Sequence, residues 1–148
     1  MENISKFKEV IDEMTRFFEE LTELEQGKLQ AVADNNLKAL EDFMAKEQVG
    51  IMRLRVLEKR RDEIQTALGL QGLAFRDIIE KLEGDDKEEL TLRYHKLADV
   101  LLHFNQVADS AKTAIETNLY SIEAILKRLK EKNGTQSSKE SGFSSKRA

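Results

Sequence analysis

Ile4, Phe7, Ile11, Met14, Phe18 and Leu21 recur at alternating spacings of three and four residues. That spacing lines them along one face of an α-helix. Val10, Phe17 and Leu24 widen the face, so the helix is suited to a bundle rather than to a single seam. The pattern predicts a first helix from about Glu2 to Ala33. The stretch ADNN, residues 33–36, interrupts it. Asp and Asn side chains accept from the free N–H groups that open a helix. A second helix is therefore expected to follow, ending near Leu68. Gly50 lies inside it, where it costs about 1 kcal/mol against Ala and suits a close helix approach. GLQG, residues 69–72, supplies glycines that accept the left-handed backbone that ends helices.

Residues 73–83 predict a short third helix carrying Leu73, Phe75, Ile78, Ile79 and Leu82, stopped by Gly84. Asp85 precedes Glu88 by three residues, a capping-box spacing. A last helix is expected from about Asp86 to Lys132. Leu90, Tyr94, Leu97, Leu101, Phe104, Ala108, Ala111, Ile115, Asn118, Ile122, Ile125 and Leu129 keep 4–3 spacing along it. Asn118 is the polar residue in that seam. Leu119 and Leu126 broaden the stripe, and Tyr120 points away from it. Acids at the start of this helix and bases at its end both suit the helix dipole.

The fold class predicted is all-α: an elongated antiparallel helical bundle or coiled coil of three long helices and one short helix. The ordered domain should span residues 1–132. Residues 133–148, rich in Ser, Gly and Lys, cannot bury enough apolar surface to offset ordering and read as a disordered tail. At 1.5 Å per residue the last helix would be about 70 Å long and the first two about 45–50 Å each. Packed lengthwise, residues ~118–132 would overhang by about 20 Å. The extra apolar residues there would then meet another chain, the alternatives being dimerisation or folding back onto the third helix.

Composition sharpens this picture. The chain has no Pro and 35% charged residues, so nothing breaks helices by ring clash. It has no Cys, which excludes disulfides and thiolate chemistry. The net charge of −4 argues against a dedicated nucleic-acid binder. The run RLRVLEKRR, residues 53–61, has acids mixed among its bases and reads as a solvated face with pairs inside its own helix. Neither His95 nor His103 has Glu three residues before it, so the bundle di-metal pattern is not met. No apolar run approaches the length of a membrane span, and the N-terminus shows no secretion signal. No catalytic set stands out, and no cofactor is implied.

The stretch DNNLKALEDFMAKEQVGIMRLRVLEKRRDEI carries a polar turn, the Leu37/Leu40 pair, Lys46, Leu54, Leu57 and the Arg60–Arg61 pair. Together with the long last helix and Asn105 in LLHFNQVADSA, it resembles the FlgN-type flagellar secretion chaperones over residues 2–132. One position departs: many members have a second Asn shortly after the one matching Asn105, where this chain has Ala108 or Asp109. The resemblance implies a non-enzymatic cytoplasmic helper of flagellar type III export. Such a protein binds the C-terminal helical segments of hook-associated proteins, prevents their premature assembly and delivers them to the export gate. The partner-binding residues expected are Ile115, Leu119, Ile122 and Leu126 for the client helix, Asn118 as the polar seam residue that fixes register or partner number, and Tyr120 for a second partner such as the gate. The alternative is a structural coiled-coil scaffold, a homodimer or higher oligomer formed through the same C-terminal seam.

Overall fold

The computed structural model describes residues 2–118 and, singly, residues 123, 127 and 131. Helix α1 runs Glu2–Ala33, α2 Leu37–Ala67, α3 Phe75–Glu80 and α4 Gly84–Thr117. No strand occurs among the described residues. The all-α antiparallel bundle expected from the spacing is what forms. α1 packs along both α2 and α4, and α3 rests on α4.

The broad apolar face of α1 explains this arrangement. Phe7, Val10, Ile11, Met14 and Phe17 are all buried, and they share a core with Leu57 of α2, Ile78 and Ile79 of α3, and Leu90 and Leu97 of α4. Burying each such side chain stabilises the fold by about 1.5–3 kcal/mol. A second, smaller core closes the far end of the bundle. There Ala31, Val32, Leu40 and Met44 are buried, with Ala114 and Ile115 of α4 packed against them. Aromatic edges fix the near end: Phe7 meets Phe75 at 5.7 Å and Phe75 meets Tyr94 at 5.3 Å, both edge-on.

The connections follow their local chemistry. Asn36 caps α2, its side-chain oxygen accepting from the Ala39 N–H at 3.0 Å. Two glycines allow the close approach of α1 and α2. A Cβ on Gly50 would lie 3.0 Å from Leu21, and one on Gly27 would lie 2.4 Å from the Phe43 ring. The α2–α3 loop is held by buried Gln65, whose amide donates to the Leu70 and Leu73 carbonyls at 3.1 and 3.2 Å. Two expectations fail here. Gly84 opens α4 rather than closing α3, and Glu83 stands at the N-cap without a side-chain hydrogen bond. No capping box therefore forms at Asp85. The first turn is instead held from outside, where Lys8 of α1 donates to Asp86 at 2.8 Å and to Glu89 at 2.9 Å. That contact ties the start of α4 to the start of α1.

The basic run also pairs differently from its expectation. Arg53 reaches Glu20 at 3.3 Å and Arg60 reaches Glu13, both across to α1, while Arg61 pairs with Asp62. Such exposed pairs contribute little energy. At its other end α4 closes at Thr117, with Asn118 as the C-cap. An uninterrupted helix to Lys132 was expected, and it is not met at that point. Residues 123, 127 and 131 are helical and exposed. The predicted tail, residues 133–148, lies outside the described residues.

Candidate functional site

Because α2 and α4 flank α1 without packing closely on each other, a groove opens between them. Its floor is Phe7, Ile11, Met14 and Phe18 of α1, and its volume is about 740 Å³. α4 lines one wall with Tyr94, Leu97, Ala98 and Leu101, and Gln65 and Arg61 stand on the α2 side. The α2–α3 loop closes one end with Leu73, and α3 adds Phe75. Arg61 Nε is buried in the wall with no hydrogen-bond partner. A trough of this kind, apolar below and polar at the rim, can receive apolar side chains from another segment.

The far end of the bundle bears directly on the expected site residues. Ile115 is half-buried against the Ala31, Val32, Leu40 and Met44 cluster. It lies where α1 finishes and the chain turns into α2. Asn118 follows at the C-cap, where its amide Nδ2 donates to the Ala114 carbonyl at 2.7 Å. Both residues thus have partners within their own chain. Leu119, Tyr120, Ile122 and Leu126 lie outside the described residues. The α1–α2 hairpin turns beside Ile115, and the apolar spacing of the sequence continues past that point.

Between the two cores sits a feature the spacing could have revealed. Continued past Leu21, the 3–4 period on α1 falls on Glu25, Lys28 and Val32. Glu25 and Lys28 are indeed buried, with side chains only 3% and 9% exposed. Lys28 Nζ contacts Glu25 at 3.1 Å and Glu47 of α2 at 3.0 Å. One ammonium thus sits between two carboxylates inside the α1–α2 contact. Burial and the neighbouring Glu47 push the Glu25 carboxyl up to about 7, against the pull of Lys28. This cluster is a structural seam element between α1 and α2, and none of its three residues lines the groove.

Among the described residues, no group of three His, Cys, Asp or Glu side chains could hold a metal ion. Both histidines are exposed. No described helix is long and apolar enough to cross a membrane.

A model of the FlgN protein family matches residues 1–139 of this chain. The chain therefore belongs to the FlgN family, a family of flagellar export chaperones. Among curated proteins and among solved structures, none matches.

Proposed function

We propose that the protein binds the C-terminal helical segments of hook-associated, hook–filament junction proteins in the cytoplasm, keeps them from assembling early and delivers them to the type III export gate. The observation that carries the reading is the meeting of Ile115 with the end of the α1–α2 hairpin. Beyond it the sequence still supplies Leu119, Ile122 and Leu126 at helical spacing. An amphipathic client helix would pack on that stripe, as in helix-in-groove recognition. Tyr120, off that stripe, is left for the gate. Binding then needs only apolar burial, and release needs only a competitor at the gate.

Each large apolar side chain covered by a client would contribute about 1.5–3 kcal/mol. Leu119→Ser combined with Leu126→Ser should weaken binding about a hundredfold or more. The measurement is calorimetric titration of a hook-associated C-terminal peptide, with circular dichroism as folding control.

The open groove beside Tyr94 favours a second reading, in which the client lies between α2 and α4. Ala98 is exposed on its wall, so Ala98→Arg would obstruct the trough without entering the core. Loss of binding in Ala98→Arg, with wild-type affinity in the double serine variant, would move the client into the groove.

A further inference from the structure

Helix α2 carries a second periodic stripe beside its contact with α1, where Val49 and Val56 also border the α1–α2 clefts. Lys38, Asp42, Ala45, Val49, Met52, Val56, Lys59 and Glu63 follow one another at 4–3 spacing, the spacing of a coiled-coil seam. All eight are exposed, and Val49, Met52 and Val56 are 59%, 65% and 64% exposed. Three apolar side chains at seam positions on one solvent-facing helix mark an uncovered contact face. The four charged members make no ion pair with any described residue.

We propose that this stripe is a self-association face, on which two copies of the chain pair antiparallel, α2 against α2. Charge order selects this occupant and its direction. With Val49 opposite Met52 of the second copy, Ala45 meets Val56, Asp42 meets Lys59 and Lys38 meets Glu63. The twofold repeats each contact. Four apolar layers lie in the middle, and two layers of opposite charge close each end. A parallel, in-register pair would instead stack Lys38, Asp42, Lys59 and Glu63 each on its own copy, like charge on like, which is destabilising.

The flanking cations Lys46 and Arg53 would face each other beside the antiparallel seam, but both are already turned to their own chain. Lys46 lies over the Phe43 ring at 5.6 Å. Arg53 pairs with Glu20 and stacks on Phe17 at 5.2 Å. The paired segment is about 39 Å long at 1.5 Å per residue. An interface of one helix per copy belongs to the small, transient class, so a dissociation constant on the order of micromolar is expected. None of the residues proposed for client binding takes part, so the two ideas fail separately.

The test is sedimentation equilibrium of the full chain from about 1 to 200 µM, a range that brackets micromolar association. Wild-type protein should pass from the 17.0 kDa monomer to twice that mass. Asp42→Lys and Lys59→Asp should each remain monomeric alone, weakened at least tenfold, because each places like charges opposite each other. Mixed in equal amounts they should dimerise again, since the Lys at position 42 then meets the Asp at position 59. Circular dichroism confirms that each is folded. A monomeric wild type, single variants that dimerise like wild type, or a mixture that stays monomeric would each overturn the proposal. So would loss of the dimer in Leu119→Ser, Leu126→Ser, which would place self-association in the C-terminal seam.

Discussion

Glu25→Gln tests whether the buried charge cluster between α1 and α2 is read correctly. The Glu25 side chain is 3% exposed, beside Lys28 at 3.1 Å and near Glu47. Its carboxyl is raised from an ordinary 4.5 to about 7, mainly by burial. Each tenfold change in acidity is worth about 1.4 kcal/mol, so holding the charge there costs on the order of 3 kcal/mol. A folded-state value above the unfolded one gives stability that is complete below about pH 4.5 and is lost as the pH rises through about 7. Glutamine keeps the shape and a polar amide but cannot ionise. The variant should therefore match wild type near pH 5 and gain on it toward pH 8. For a chain of this length 1 kcal/mol moves the melting point by about 2–4 °C. The difference between the two proteins should thus grow by roughly 6–10 °C across that range. The assay is thermal unfolding followed by circular dichroism at pH 5, 6, 7 and 8. Groups outside the Glu25–Lys28–Glu47 cluster titrate equally in both proteins and cancel in the difference. A melting-point difference that stays flat from pH 5 to 8 would refute the reasoning and make Glu25 an ordinary carboxylate.

Lys28→Ala leaves Glu25 and Glu47 together without their shared cation; the fold should lose about 3–5 kcal/mol, more at pH 8 than at pH 5, read as a fall in melting point. Asn36→Ala removes the acceptor that caps α2 at Ala39 and should cost about 1 kcal/mol, measured as a shifted urea midpoint with unchanged slope.

Much of the fold was legible because it rests on a period. The run from Ile4 to Leu21 predicted α1 with its bounds, and the 4–3 spacing from Leu90 to Ile115 predicted the face of α4 that is now buried or half-buried. Asn36 and Gly50 were legible because each meets a local requirement, an acceptor for a free N–H and room for a neighbouring helix. Glu25 and Lys28 escaped because their charge reads as solvent-facing, although their positions continue the apolar seam. The groove escaped because it depends on how far apart α2 and α4 lie across α1, a distance no periodicity encodes. The start of α4 was misread at Asp85 because the contacts that hold its first turn come from Lys8, 78 residues away from Asp86 in sequence. The outer stripe of α2 went unread because its ends are charged and only its middle is apolar.

The central claim is that a client helix is taken up by the chain just past the end of the α1–α2 hairpin. Amide hydrogen exchange, measured with and without a saturating C-terminal peptide from a hook-associated protein, tests it most directly. Slowed exchange should be concentrated in residues 115–129, with α1, α2 and the wall of the groove at Tyr94–Leu101 unchanged. Protection centred on Tyr94–Leu101 and Phe75, with 115–129 exchanging as before, would contradict it.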